Sequence, residues 1–181
     1  MAVYGTLGGN DSNHAFVLCR YLAKNGLGDA GTRYYDDFFV AFDDLIDGKI
    51  DHVLQVSVHP QHADCVARYV NRAFIIDTFI AASKPLAILT REAVKVPRSI
   101  ALQPATRHYA DLRAWTEQID EISTSTVTEG LLAGRFDSGL TALDLVEKHP
   151  GRLRVETEIG AIEDVWVLFG RDDTNRRNLL P

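Results

Sequence analysis

The sequence has few of the features that mark a membrane, secreted or disulfide-bonded protein. No apolar run approaches the roughly 18 residues of a membrane-spanning helix, and the N-terminus has no basic stretch followed by an apolar one. Only two cysteines, Cys19 and Cys65, occur among 181 residues, and both fall in helical patterns with apolar neighbours. We therefore expect a cytoplasmic protein with no membrane partner, whose cysteines are reduced core thiols.

Positive charge is also scarce. The chain has 19 Lys and Arg against 25 Asp and Glu, a formal net charge of −6, which argues against nucleic-acid binding. A local pocket can still hold an anion, because its own field governs binding there. The hydrophobic share of 46% and the charged share of 24% are typical of a globular protein with a buried core.

Common catalytic and cofactor motifs are missing. There is no G-x-S-x-G elbow, no Gly-Lys-Ser/Thr phosphate loop and no G-x-G-x-x-G fingerprint. No Cys/His cluster supplies the ligands of a zinc site. We expect no metal and no cofactor.

Short apolar runs alternate with helical patterns along the chain. "AVYG", "TRYYD" and "DHVLQVSV" predict strands, and "SNHAFVLCRYLAKNG" and "ATRHYADLRAWTEQ" predict helices. This alternation predicts an α/β protein with mainly parallel sheets. We expect one lobe from residues 1–90 with 160–170 and a second lobe from residues 91–159, with the chain crossing between them near residues 91–98. A polar tail follows at 171–181. We expect a ligand cleft between the two βα lobes.

The opening "YGTLGGNDSNHAF" is the first candidate site. A strand, a glycine-rich turn and a cap at Asp11 or Ser12 would aim free backbone N–H groups at one point, which attracts carboxylate or phosphate. This interpretation makes Gly8, Gly9, Asn10 and Ser12 anion-binding residues. An ordinary strand-to-helix turn explains the same pattern.

The run "STSTVTEG" is a second candidate. Ser123, Thr124, Ser125 and Thr126 follow a predicted strand and precede a predicted helix. A cap needs one hydroxyl, so four indicate donors turned toward a ligand. A simple cap with Glu129 nearby is the alternative.

Two further groups carry polar or aromatic side chains near strand ends. In "VHPQH", His59 and His62 lie three residues apart after the strongest strand, where they could bind a metal or act as acid and base. Surface or capping histidines explain the same spacing. Arg107 could clamp a carboxylate with two hydrogen bonds, although a solvated arginine fits as well. Trp166 lies in an apolar strand and is either a core residue or a pocket wall.

Several stretches together resemble the prephenate dehydratase domain, and more closely its offshoot, the prephenate decarboxylases of bacilysin-type antibiotic pathways. The resemblance covers about residues 3–170. "TLGGNDSNHA" stands at the family's Leu-Gly-Pro-Glu-Gly-Thr-x-Ser run, with Gly9 and Ser12 matching. "LQPATRHYADL" keeps Pro104 of a Ser-His-Pro helix start, and "ISTSTVTEGLLAG" matches a Ser-Thr-Ser/Ala run.

The departures from that family concern its catalytic motifs. Dehydratases carry Thr-Arg-Phe near the end of the domain, where this chain has Asp164, Val165 and Trp166, so the resemblance implies that dehydratase activity is lost. The decarboxylase branch has a tryptophan in the last of these positions and a similar "LFG" ending. "VSVHPQH" replaces the family's Val-Pro-Ile-Glu-Asn segment, which places Gln61 among the substrate-binding residues.

The resemblance implies a type II periplasmic-binding-protein-like fold and a homodimer of aromatic-acid metabolism or antibiotic biosynthesis. It implies a cofactor-free lyase that decarboxylates a cyclohexadiene carboxylate such as prephenate without aromatising it, with His59 or His62 as proton donor. One alternative is a binding protein for an aromatic or cyclic carboxylic acid that performs no chemistry. Another is a decarboxylase or isomerase of a different ring carboxylate.

Overall fold

A computed structural model describes residues 1–174, which contain ten β-strands and five α-helices. The described residues form two compact units, one from residues 1–82 together with residues 163–174, the other from residues 83–162. The predicted α/β class with two βα lobes is confirmed. Of the predicted polar tail, residues 175–181 lie outside the described residues.

The first unit is a sheet with helices on both faces. Its elements are β1 (Val3–Leu7), α1 (Asn13–Lys24), β2 (Gly31–Tyr35), α2 (Phe38–Ile46), β3 (His52–Val56), α3 (His62–Arg68), β4 (Phe74–Ala82) and β10 (Glu163–Gly170). The strand order is β2-β1-β3-β10-β4. β1 is parallel to β2 and to β3, and β10 is antiparallel to β3 and β4.

Alternate side chains of this sheet enter two hydrophobic clusters. Tyr4, Leu54 and Trp166 pack with α1 on one face, whereas Val53 and Phe169 pack with α2 and α3 on the other. This two-sided burial explains why the central strands are apolar along nearly their whole length.

The second unit has the same general plan. Its elements are β5 (Leu86–Arg91), β6 (Ser99–Leu102), β7 (Glu117–Asp120), α4 (Thr124–Ala133), β8 (Ser138–Ala142), α5 (Leu145–Lys148) and β9 (Leu153–Gly160). The order is β7-β6-β8-β5-β9, with β6 parallel to β7 and β8, and β5 antiparallel to β8 and β9. Helices α4 and α5 cover one face, and Leu112 and Trp115 cover the other.

The structure corrects several sequence-based expectations about the layout. Both sheets are mixed rather than mainly parallel, because β10 and β5 run against their neighbours. The chain passes between units at residues 82–83 and 162–163, and the predicted crossing at 91–98 lies inside the second unit because β5 pairs within the second sheet. Cys19 is exposed, so only Cys65 is a core thiol.

The predicted helix "ATRHYADLRAWTEQ" is wrong. Only a 3₁₀ turn over Pro104–Thr106 forms, followed by a loop and β7. The carboxylate of Asp111 accepts a hydrogen bond from the N–H of Arg113, a local contact that competes with helix formation. The three-residue spacing of Leu112 and Trp115, typical of a helix, instead places both side chains over the sheet.

Candidate functional site

The polar side chains of the first unit collect at one edge of its sheet. β1, β2 and β3 are parallel, so their carboxyl ends share that edge, and β10 begins there because Trp166 pairs with Val56 near the end of β3. The segments that follow β1, β2 and β3 lead into α1, α2 and α3. Ligands of open α/β sheets bind outside the carboxyl ends of the strands.

Four rings, which we call the edge cluster, meet there: His14, Phe38, His59 and Trp166. The ring centroid of His14 lies 5.2 Å from that of Trp166, 5.5 Å from that of Phe38 and 6.2 Å from that of His59. Phe38 and His59 are 4.8 Å apart in an edge-to-face arrangement. Each ring comes from a different segment, so the cluster exists only in the folded unit.

The hydrogen bonds of His59 define its tautomer. Its Nδ1 accepts a hydrogen bond from the backbone N–H of Gln61 at 3.2 Å, so in the neutral ring the proton is on Nε2. Burial is the main cause that lowers the pKa of His59 to about 4; Asp37 opposes this and His62 adds to it. At neutral pH His59 is therefore an uncharged donor through Nε2–H.

His14 lies in the first turn of α1, and its Nε2 is buried without a hydrogen-bond partner. Burial, with a smaller contribution from His59, lowers its pKa to about 3. A buried polar nitrogen without a partner is unfavourable, and such groups in native proteins call for a specific explanation.

His62 faces the sheet rather than the edge cluster. Its Nδ1 hydrogen bonds at 2.9 Å to Oε1 of Gln55, which is fully buried on β3. A carbonyl oxygen only accepts, so Nδ1 carries the proton. Burial lowers the pKa of His62. The two predicted histidines thus lie at the same edge but have different hydrogen-bond partners.

Gln61 joins the starts of α2 and α3. Its Nε2 donates to Oδ2 of Asp37 at 2.7 Å, and its Oε1 accepts from the N–H of Phe38 at 3.3 Å. Asp37 is itself the N-cap of α2, because its Oδ1 accepts from the N–H of Phe39 at 2.7 Å. This bridge holds Phe38 and His59 in place within the edge cluster.

The loop after β1 has only part of the predicted cradle. Ser12 is the N-cap of α1: its hydroxyl accepts from the N–H of Ala15 and donates to the carbonyl of Leu7. Gly8 has a positive φ of 82° and donates its N–H to Tyr35. Gly9 and Asn10 are exposed. The hydroxyl of Ser12 is therefore already engaged in two hydrogen bonds within the unit. The predicted anion-binding role then depends on the backbone of the loop and on the start of α1.

The predicted residues of the second unit lie at the start of α4. Ser123 is the N-cap, and it forms a capping box with Thr126. Two of the four hydroxyls are thus explained by the cap, whereas Thr124 and Ser125 open the helix and are half-buried. Arg107 has partners within the unit, since its guanidinium contacts the carboxylate of Asp120 and the side chain of Gln118.

Trp166 is fully buried, and its Nε1 donates to the carbonyl of Ala81 at 3.3 Å. Strand alternation puts Asp164 on the same face of β10, nearer the start of the strand. Asp164 is half-buried, and burial raises the pKa of its carboxyl group. Asp164 is therefore an acid in a poorly hydrated place.

Within residues 1–174 no group of three or more His, Cys, Asp or Glu is placed to hold a metal ion, and no helix is long and apolar enough to cross a membrane. A cavity of about 350 Å³ lies in the second unit at the far end of α4 from Ser123, between Arg91, Leu131, Gly134 and Arg152.

Sequence reasoning missed His14, Phe38, Asp37 and Gln55. His14 stands inside the quoted opening stretch, two residues after the capping serine, so its place in the first turn was predictable. The contact between Phe38 and His14 was not, because it depends on how α1 and α2 approach the same edge. A glutamine inside the apolar strand "DHVLQVSV" is a signal that could have identified Gln55.

No protein-family model matches the sequence, and no curated protein matches it. Solved structures do. A prephenate dehydratase from Arthrobacter aurescens in complex with L-Phe superposes with a TM-score of 0.72 at 18% identity; the match covers 98% of this chain and 63% of that one. The chain therefore spans less than two thirds of that enzyme's length.

Binding proteins share the fold as well. The VFT2 domain of Bordetella pertussis BvgS matches with a TM-score of 0.56 at 13% identity, covering 92% of this chain and 80% of that one. The periplasmic aliphatic sulphonate binding protein SsuA from Escherichia coli matches with a TM-score of 0.50 at 13% identity, over 94% and 61%. The chain has the two-lobed α/β fold that prephenate dehydratase shares with type II periplasmic-binding proteins.

Proposed function

We propose that this protein is a cofactor-free lyase that removes carbon dioxide from a cyclohexadiene carboxylate, prephenate or a close relative. The observation that carries the proposal is the edge cluster itself: two uncharged imidazoles and two aromatic rings beside the start of a helix. Such a site has an apolar wall for a ring and hydrogen-bond donors for carboxylates.

The anion would lie at the start of α1. The first turn of this helix has no acidic residue, and its dipole favours a negative group. Gly9 and Asn10 form the exposed loop beside it, and the Nε2–H of His59 is a further donor. In the second unit, the run Ser123 to Thr126 remains a separate proposal for ligand binding, which there concerns mainly Thr124 and Ser125 outside the capping pair.

The reaction needs little from the protein beyond binding and one proton. The bond between the ring carbon and its carboxylate breaks, carbon dioxide leaves, and the electron pair moves through the adjacent double bond of the ring. A ring carbon at the end of that system then takes a proton, and the ring hydroxyl stays, so the product is not aromatic. Excluding water from the reacting carboxylate favours its loss, and the buried Trp166 forms such a wall.

Incubation of the purified protein with prephenate at neutral pH tests this proposal. We expect a non-aromatic product lighter than prephenate by one carbon dioxide, measured by mass and ultraviolet absorbance. Phenylpyruvate formed above the uncatalysed rate would contradict the assignment and show a dehydratase instead. The Asp164→Asn variant tests whether the reaction needs the acid at this position, which the dehydratase motif lacks.

A binding protein without catalysis is the second candidate function. The observation that favours it is the uncharged state of both edge imidazoles, which gives donors for a ligand and no ready acid for chemistry. Binding of prephenate without any change in its mass over hours would support this candidate. Conversion of prephenate to a lighter product would exclude it.

A further inference from the structure

We propose that His14 carries the proton of the reaction: it binds the ligand's carboxylate through Nε2, takes up one proton as the ligand binds, and delivers that proton to the ring after carbon dioxide leaves. This inference rests on the proposed function. It replaces His59 and His62, the residues that the sequence favours as acids. Three geometric steps lead to it.

The first step concerns His59. An imidazole acts most readily as a general acid when both of its nitrogens carry a proton beforehand. The Nδ1 of His59 accepts a hydrogen bond from the N–H of Gln61. A proton on Nδ1 would place its N–H against the backbone N–H of Gln61, so two donors would face each other. The loop cannot easily move away, because the side chain of Gln61 is hydrogen bonded to Asp37. His59 is therefore suited to stay neutral and donate through Nε2–H.

The second step concerns His62. Its Nδ1–H is used by the fully buried Gln55. Its ring lies against Phe169, with centroids 6.1 Å apart, and Phe169 belongs to the cluster under α2 and α3. His62 thus supports the sheet on the face opposite to α1, whereas the helix start that attracts an anion belongs to α1.

The third step concerns His14 itself. Its Nε2 is buried, has no partner and lies among the rings of the edge cluster. Ser12 caps α1 by accepting from the N–H of Ala15, and the first turn of the helix has no acidic residue to oppose an anion. A carboxylate there would meet the helix dipole and Nε2 together.

The charged and titratable groups around His14 determine how a bound ligand would change its protonation. His59 faces it from the loop after β3, with Asp37 at the start of α2 and His62 at the start of α3 acting on His59. Asp164 lies on the same strand face as Trp166, which contacts His14. In the unliganded protein burial keeps His14 neutral, and a bound anion opposes that effect because it favours the charged ring.

Calorimetric titration with cyclohexanecarboxylate, a ring carboxylate that cannot undergo the proposed decarboxylation, at pH 6 in two buffers of different ionisation enthalpy, counts the protons taken up on binding alone. We expect uptake of about one proton by the wild type and by His108→Gln, whose imidazole is exposed on the second unit. His14→Gln should take up none and lose about a hundredfold or more in kcat with prephenate. Asp164→Asn should keep the uptake; loss of uptake there but not in His14→Gln would overturn the proposal.

A second measurement separates this proposal from the proposed function. Nuclear magnetic resonance titration follows the His14 imidazole of the wild type with and without cyclohexanecarboxylate, a stable ring carboxylate. A raised His14 pKa in its presence supports the site even where prephenate is not turned over. Binding of cyclohexanecarboxylate with no proton uptake and an unchanged His14 pKa would refute it, and so would a His14→Gln variant with wild-type kcat.

Discussion

At the scale of single residues, the proposed chemistry depends on where a few imidazoles lie rather than on how many there are. Six histidines are present in the chain. The sequence identifies His59 and His62 through their spacing, yet the structure gives them different partners, Gln61 and Gln55. These partners lie within seven residues along the chain, but the tautomers that they fix depend on three-dimensional geometry.

A buried neutral histidine makes stability depend on pH. The ordinary pKa of 6.5 applies to the unfolded chain, and burial lowers that of folded His14 to about 3. Between these values the unfolded state binds more protons than the folded state, so the free energy of unfolding falls as pH decreases below 6.5. The contribution is fully present above pH 6.5.

We therefore expect His14→Gln to weaken this pH dependence. Between pH 6 and pH 4 the slope of the unfolding free energy should decrease by up to about 1.4 kcal/mol per pH unit, the limit for one group. Urea unfolding at several pH values measures it. The exposed His108→Gln is the matched control and should keep the wild-type slope. An unchanged slope in His14→Gln would mean that folded His14 titrates near its ordinary pKa.

At the scale of elements, strong local patterns predicted the structure well. β1, α1 and β3 lie where periodicity and turn residues place them. The helix predicted from residue 105 onward failed because Asp111 forms a local contact and because Trp115 donates its Nε1–H to Ser138, a residue 23 positions away. Long-range contacts of this kind are not present in any short window of sequence.

The start of α4 shows how one pattern serves two interpretations. Four hydroxyls in a row indicated a ligand site, and the structure uses Ser123 and Thr126 for a capping box. Ser125 is the second residue of α4, so it is not the residue that caps the helix. A ligand role for the run thus concerns Thr124 and Ser125 more than the capping pair.

We expect Ser123→Ala to lower the free energy of unfolding by about 1 kcal/mol, because it removes the acceptor for the N–H of Thr126. Ser125→Ala, the matched change two residues later, should stay within about 0.5 kcal/mol of the wild type. Urea unfolding compares the two. Equal losses in both variants would show that the cap is not the feature that stabilises this helix.

At the scale of the whole molecule, each of the two units has its own hydrophobic core. The two clusters of the first unit contain no residue between 83 and 162, and the two clusters of the second unit contain residues from that segment alone. The first unit needs chain from both sides of the second, because β10 lies between β3 and β4. The sequence analysis expected two lobes and placed residues 160–170 in the first one, but it did not predict that β10 is antiparallel to both of its neighbours.

This division has a consequence for folding, because the second unit is one continuous segment. Its crossing points are joined within the unit: the N–H of Ser83 donates to the carbonyl of Ile162 at 2.8 Å, and the N–H of Ile162 donates to the hydroxyl of Ser83 at 3.0 Å. All five strands of its sheet are included. A domain that contains its whole core folds independently in the general case.

We expect a fragment of residues 83–162 to unfold cooperatively in urea, followed by circular dichroism. Ile88 is fully buried and Ile122 is exposed, so Ile88→Val should lower the fragment's unfolding free energy by about 0.5–1.5 kcal/mol while Ile122→Val leaves it nearly unchanged. A broad, non-cooperative transition, or equal effects of the two variants, would contradict an independent core. The fragment lacks His14 and His59, so cyclohexanecarboxylate should produce no proton uptake in it, and any uptake would place the titrating group outside the edge cluster.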